Sequence, residues 1–79
     1  MSPTVLRQGE FRFFFFSREE SRCHVHVICP DGEAKYWLEP QVELAQNQGL
    51  NERKLRTVQR VIEENYDAIR AAWRRHFGG

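Results

Sequence analysis

The first half of the chain alternates apolar and polar residues, and this alternation predicts four β-strands. Residues two apart in a strand share one face of a sheet, so the pattern also assigns each side chain to a face. The four predicted strands are residues 4–7, 11–16, 23–29 and 33–38. A charged loop at residues 17–22 separates the second strand from the third. Phenylalanines fall on both faces of the second strand, so we expect that both of its faces are covered.

A Pro-Asp-Gly turn at residues 30–32 joins the third and fourth strands and predicts a β-hairpin. A two-residue loop would place His26 opposite Trp37 and His24 opposite Glu39. One face would then be apolar, with Cys23, Val25, Val27, Cys29, Ala34, Tyr36 and Leu38. A three-residue loop with a bulge is the alternative, and it would reverse which residues meet across the strands. We favour the two-residue loop because it separates apolar from polar side chains more cleanly.

The second half of the chain has the three- and four-residue spacing of amphipathic helices. We predict a short helix at residues 41–48, which follows Pro40 and ends at Gly49. A long helix follows from an N-cap at Asn51. Its apolar stripe consists of Leu55, Val58, Ile62, Tyr66, Ile69, Trp73 and Phe77. One straight helix of this length would measure about 40 Å in a domain about 30 Å across. We therefore expect either a break near Asn65 or an overhanging end that needs a partner.

These elements predict a single small α+β domain over residues 1–79. It has a four-stranded, mainly antiparallel sheet, with a short helix and a long C-terminal helix packed on one face. A chain this short has a thin core, which favours self-association or a small partner protein.

Charge, cysteines and hydropathy narrow the class of protein further. The formal net charge is only +1, so any attraction to nucleic acid must be local. Cys23 and Cys29 lie roughly 20 Å apart in an extended strand, too far for a disulfide. We expect two free, buried thiols in a cytoplasmic protein. We find no signal peptide and no apolar run long enough to cross a membrane, and we expect no cofactor.

His24 and His26 form the strongest candidate site. They share one strand face, about 6.5–7 Å apart, where two imidazoles can act as acid and base on one phosphodiester. Lys35 would neutralise a phosphate, Trp37 would stack on a base and Glu39 would orient His24. The alternative is a structural pair packed on Trp37. We predict no metal site, because the thiols face away from the imidazoles and no third ligand is near.

A helix-turn-helix is the second candidate. Ala45, Gly49 and Leu55 have the spacing of that motif, with glycine in the turn. Three arginines would face outward from the second helix, where a DNA-reading helix carries its contacts. They are Arg53, Arg56 and Arg60. Any two helices packed through a tight glycine turn would give the same pattern.

The chain also resembles a small bacterial family, domain of unknown function 4160. The most specific shared segments are His24-Val25-His26-Val27 and Ala34-Lys35-Tyr36-Trp37-Leu38, although Cys23 stands where members usually have proline. The resemblance implies the same α+β fold and a place in a two-gene unit of the toxin–antitoxin type. Our leading hypothesis is therefore a member of such a pair that acts through a partner protein, with a nucleic-acid-directed histidine site. A DNA-binding regulator that uses the arginine helix is the alternative.

Overall fold

The computed structural model describes residues 4–16 and 22–78, which form a five-stranded sheet and two helices. The strands are β1 (Thr4–Gln8), β2 (Phe11–Phe14), β3 (His24–Cys29), β4 (Gly32–Trp37) and β5 (Glu43–Gln48). The helices are α1 (Glu52–Glu64) and α2 (Tyr66–Phe77). All neighbouring strands are antiparallel, and their order in the sheet is their order in the chain. The α+β class is confirmed, whereas most of the predicted charged loop (residues 17–21) lies outside the described residues.

The predicted short helix at residues 41–48 is wrong, and it is the reason the sheet has five strands rather than four. Residues Glu43–Gln48 pair with β4 and form one edge of the sheet. Glu, Leu, Ala and Gln favour a helix only weakly, by a few tenths of a kcal/mol each. The backbone N–H and C=O groups along β4 need partners, and β5 supplies them. A bulge between Lys35 and Tyr36 interrupts this pairing and masks the two-residue period in the sequence.

The β3–β4 hairpin has a two-residue loop, as predicted, but the loop is Pro30-Asp31 instead of Asp31-Gly32. His24 therefore pairs with Trp37, and His26 with Lys35. The register differs from the predicted one by two residues. A shift of two keeps every side chain on its predicted face. All seven residues of the predicted apolar face are buried.

Two glycines allow the hairpin turn to pack directly against the connection between β5 and α1. Gly32 and Gly49 both have positive φ angles, +156° and +95°. A Cβ atom on Gly32 would overlap the backbone of Gln48, and one on Gly49 would overlap the carbonyl of Asp31. Larger residues at either position would push these two backbones apart.

The long helical segment breaks near Asn65, which confirms one of the two predicted outcomes. Asn51 caps α1, because its side-chain oxygen accepts a hydrogen bond from the Lys54 backbone N–H at 2.9 Å. At the break, the Asn65 side chain donates to the Val61 carbonyl at 2.8 Å, while the carbonyl of Asn65 accepts from Ile69 N. The break lets α2 change direction within a molecule of 33 × 26 × 20 Å.

Both helices pack on one face of the sheet and close the hydrophobic core. Val58, Ile62, Ile69 and Trp73 of the predicted stripe are buried, and Leu55, Tyr66 and Phe77 pack against the core while partly exposed. At the end of α2, Trp73 contacts Phe15, with ring centroids 5.3 Å apart. The chain's own aromatic residues thus cover Trp73. Neither described helix is long and apolar enough to cross a membrane.

Candidate functional site

The candidate site lies on the face of the sheet opposite the helices, which we call the open face. Strand pairing arranges its side chains in a short row of His24, Trp37 and Glu43 and in two longer rows across the sheet. The first longer row is Phe14, His26, Lys35 and Gln46. The second longer row is Arg12, Ile28, Glu33 and Gln48. Because adjacent strands are about 4.8 Å apart, neighbours within a row are in contact range of one another.

Trp37 provides the open face with an aromatic surface between two cations. The guanidinium carbon of Arg22 lies 4.2 Å from the centroid of the Trp37 ring, and Lys35 Nζ lies 4.4 Å from it. Arg22 is held in place by a hydrogen bond from Nε to the Glu39 carbonyl at 3.2 Å. Trp37 is half-buried, so part of its ring reaches solvent. Lys35 and Trp37, two of the candidate residues from the sequence, thus lie in contact.

The two histidines come together, but they differ in access to solvent. Their ring centroids are 5.1 Å apart. His26 is half-buried and contacts Phe16, with centroids 4.4 Å apart. His24 has no exposed surface (0%) and packs on Trp73 of α2 at 5.0 Å. Without a local opening, only His26 of this pair can touch a ligand.

A backbone contact, rather than Glu39, orients the His24 ring. His24 Nδ1 donates to the carbonyl of Arg22 at 2.6 Å, which fixes the tautomer as one that carries hydrogen on Nδ1. The Glu39 carboxylate instead accepts two hydrogen bonds from Arg70, the shorter at 2.6 Å. This contact joins the end of β4 to α2 and raises the pKa of Arg70.

The three predicted DNA-contacting arginines lie away from this cluster. Arg53, Arg56 and Arg60 are exposed on α1, on the other side of the sheet. Arg56 pairs with Glu52 at 3.8 Å within the same helix. Since residues 43–48 form a strand, the helix-turn-helix interpretation lacks its first helix. DNA binding by α1 itself stays a prediction.

A shallow pocket of about 140 Å³ beside His26 was missed by the sequence reasoning. Aromatic rings of Phe14, Phe16 and His26 line one part, Val27 and Ala34 also border the pocket, and four polar residues complete its lining. These polar residues are Glu33, Lys35, Gln46 and Gln48. The two glutamines were assigned to a helix, although their spacing of two residues is also that of a strand face.

The only group of metal-ligating side chains found among residues 4–16 and 22–78 lies elsewhere, at the hairpin turn. Ligand atoms of Glu10, Cys29 and Asp31 lie within 4.8 Å of one another. Lys54 Nζ donates to Glu10 at 3.1 Å and also to Asp31, and these hydrogen bonds raise the pKa of Lys54. A metal ion would have to displace this ammonium group.

Comparisons with known proteins give one match. No curated protein and no solved structure matches the chain. A family model described as domain of unknown function (DUF4160) matches residues 10–74, which include all of β2 to β5, all of α1 and most of α2. The matched region contains the open-face residues His26, Lys35 and Trp37 as well as the core. The chain therefore belongs to the DUF4160 family.

Proposed function

We propose that the open face binds single-stranded nucleic acid, with RNA as the preferred ligand. The observation that carries this proposal is the cluster of His26, Lys35 and Trp37 on the sheet face that neither described helix covers, with Arg22 beside it. Proteins that bind single strands combine aromatic side chains, on which bases stack, with cations that follow the phosphates. This face supplies both within adjacent rows of the sheet.

Local charge matters more here than the net charge of +1. Among residues 4–16 and 22–78, the open face carries the cations Arg7, Arg12, Arg22 and Lys35, and the last three each lie within 5.0 Å of an aromatic ring centroid. A stacked base would therefore have a cation close to its own phosphate. Base stacking contributes about 1–3 kcal/mol per base, which gives weak but measurable binding for a site of one or two bases.

The histidines then take unequal roles. His26 can exchange a proton with a phosphodiester or a ribose hydroxyl, because its ring borders the pocket and reaches solvent. His24 packs against His26 and Trp37, at 5.1 and 5.6 Å between ring centroids. We assign it as a positioning residue that holds those two rings, not as the second acid or base.

We further propose that the chain works in the cytoplasm as one member of a toxin–antitoxin-like gene pair, together with a small partner protein. The support is the resemblance described from the sequence, which implies such a gene pair; the matching family model names a domain of unknown function and adds no role. In such a pair the partner would either block the open face or bring it to its RNA. A regulator that reads DNA through Arg53, Arg56 and Arg60 is the alternative.

RNA binding is tested by fluorescence anisotropy with labelled single-stranded RNA and DNA oligonucleotides at several salt concentrations. We expect Trp37→Ala and Lys35→Gln each to weaken RNA binding about tenfold. Lys35→Gln should also lower the salt-dependence slope by about 0.7, the value for one phosphate contact on a single strand.

Arg60→Gln is the matched control, because it removes one positive charge from the exposed face of α1. It should leave RNA binding within a factor of two. Equal losses for Lys35→Gln and Arg60→Gln would show that binding is only general electrostatic attraction. If Arg60→Gln abolishes sequence-specific binding to duplex DNA, the regulator is the correct function.

The place in a gene pair is tested by expressing the chain in bacteria with and without the neighbouring gene. We expect the neighbour to change growth, and His26→Ala to remove the effect while the variant stays folded. Unchanged growth in all four combinations of chain and neighbour would contradict the toxin–antitoxin role but leave RNA binding standing.

A further inference from the structure

We propose that the pocket beside His26 accepts one nucleobase and prefers guanine. This inference rests on the proposed function, because the base would belong to the strand that lies on the open face. It adds a sequence preference to a surface that otherwise needs only stacking and charge. The pocket lies between β2 and β5, across the middle of the sheet.

The size of the pocket suits the six-membered ring of a base. Its volume is about 140 Å³. A cavity of about 150 Å³ holds one benzene-sized ring. A whole nucleotide would not fit, so the sugar and phosphate would remain outside. The six-membered ring of a purine or pyrimidine carries the Watson–Crick edge, and this edge would enter the pocket.

Aromatic rings form the wall on which the base would stack. Phe14 and His26 are themselves stacked, with centroids 5.5 Å apart and an interplanar angle of 24°. Phe16 lies edge-on to His26 at 65° and is 44% exposed. An exposed phenylalanine next to a pocket offers apolar surface that a base would cover.

The polar part of the pocket decides which base fits. Glu33 carries a carboxylate, which only accepts hydrogen bonds. Guanine presents two adjacent donors on its edge, N1–H and the N2 amine, which a carboxylate can accept together. Adenine and cytosine present a single exocyclic amine there, and uracil a single ring N–H. A bidentate pair is stronger and more selective than a single hydrogen bond.

Donors for the guanine O6 atom lie in the adjacent row. Lys35 is two residues from Glu33 on the same strand face, about 6.5–7 Å along the strand. Gln46 is the cross-strand neighbour of Lys35. Gln46 lines the pocket and can donate to O6 while Glu33 accepts from the other end of the same edge; Lys35 can donate to O6 once its ammonium group moves from the Trp37 ring. Uracil and cytosine each present only one donor on this edge, so one oxygen of Glu33 would lack a hydrogen-bond partner.

The test measures dissociation constants of the full chain for four labelled heptamer RNAs, each of six uridines around one central G, A, C or U. We expect the guanosine heptamer to bind about tenfold more tightly than the other three. Glu33→Gln should remove this preference, because the amide replaces one acceptor oxygen with a donor. The readout is the ratio of the dissociation constant of the guanosine heptamer to that of the all-uridine heptamer, because loss of one negative charge changes the affinity for all four RNAs alike.

Glu64→Gln is the matched control, since it makes the same change at an exposed position on α1. It should leave the guanosine preference intact. Equal binding of all four heptamers by the unmodified chain would overturn the guanine pocket while RNA binding stands. No binding of any heptamer would overturn both proposals. A Glu33→Gln variant that keeps the full preference would show that another group reads the base.

Discussion

His24 and His26 are two residues apart, yet they differ in burial and in the residues they contact. His24 has no exposed surface and touches Trp73 of α2, whereas His26 borders the open pocket. The alternation in the sequence correctly placed them together on the face opposite the apolar one. It could not show that Trp73, from a distant helix, would pack against His24, which is buried while His26 is not.

Separate alanine substitutions should distinguish the two histidines. We expect His24→Ala to lower the free energy of unfolding by about 2–3 kcal/mol, because it removes a fully buried ring and its hydrogen bond to Arg22. His26→Ala should cost less than about 1 kcal/mol but weaken RNA binding. Thermal melts and anisotropy on the same samples measure both effects.

His24→Phe separates a positioning role from a general loss of stability, since it keeps a ring without the polar contact. If it restores RNA binding but not the full melting temperature, His24 acts by holding its neighbours. RNA affinity that simply follows the melting temperature in all variants would contradict a specific role for either histidine.

Cys23 is a second buried titratable residue, and it makes the fold sensitive to alkaline pH. Burial, and then the nearby charge of Glu39, raises the pKa of the Cys23 thiol from 9.0 to about 11. The unfolded chain therefore loses this proton first as the pH rises. The stabilising contribution is complete below pH 9 and is lost between pH 9 and about 11.

We expect this loss to reach about 2–3 kcal/mol, from roughly 1.4 kcal/mol for each pKa unit. Chemical denaturation at pH 8 and pH 10.5 should show a smaller decrease for Cys23→Ala than for the unmodified chain. Tyr36 contributes to both proteins alike, because burial raises its pKa from 10.0 to about 12. Identical decreases in the two proteins would mean that Cys23 titrates normally.

At the scale of elements, helices and strands were predictable where the local pattern and the tertiary contacts agree. The apolar stripe of the helices, the Asn51 cap and the break at Asn65 all follow from side chains within one segment. For β5 they disagree, because a sequence with modest helix propensity pairs with the edge of β4. Gln46 and Gln48 of the candidate pocket belong to β5. Because β5 was predicted to be a helix, the polar half of the pocket was not predicted.

The contact between the hairpin turn and the β5–α1 connection should be sensitive to a single methyl group. Gly32→Ala introduces a Cβ against the Gln48 backbone, and we expect a cost of about 1–3 kcal/mol more than Gly9→Ala. Gly9 is the control, because it also has a positive φ of +59° but has open space around its Cβ position. Urea denaturation of both variants measures the difference; equal costs would show that the clash relaxes freely.

We expect the buried Trp73 ring of α2 to contribute more to the free energy of unfolding than the exposed Arg56 of α1. Trp73 packs on Phe15, His24 and Phe77, so Trp73→Ala should cost about 3–5 kcal/mol. Arg56→Ala should change stability by less than about 0.5 kcal/mol, because its pair with Glu52 is exposed. A mild effect of Trp73→Ala would show that α2 is only loosely attached.

At the scale of the whole molecule, the two faces of the sheet differ in composition. One face carries the helices and the core, and the other carries aromatic, cationic and amide side chains. The predicted faces of β3 and β4 are confirmed even though the register is shifted by two residues. A pattern with a period of two fixes the face of a side chain but cannot distinguish registers that differ by two. The pocket needs four strands in register, so no single segment of the sequence could reveal it.

The order β1-β2-β3-β4-β5 also has a consequence for how the chain folds. Each strand pairs only with its neighbours in sequence, so every pairing step closes a short loop of chain. Such a low contact order favours fast folding, in the range of milliseconds, despite the large share of β-structure. The sheet can form hairpin by hairpin as residues leave the ribosome. The helices come last in the chain and then pack on the apolar face of a sheet whose strands are already paired.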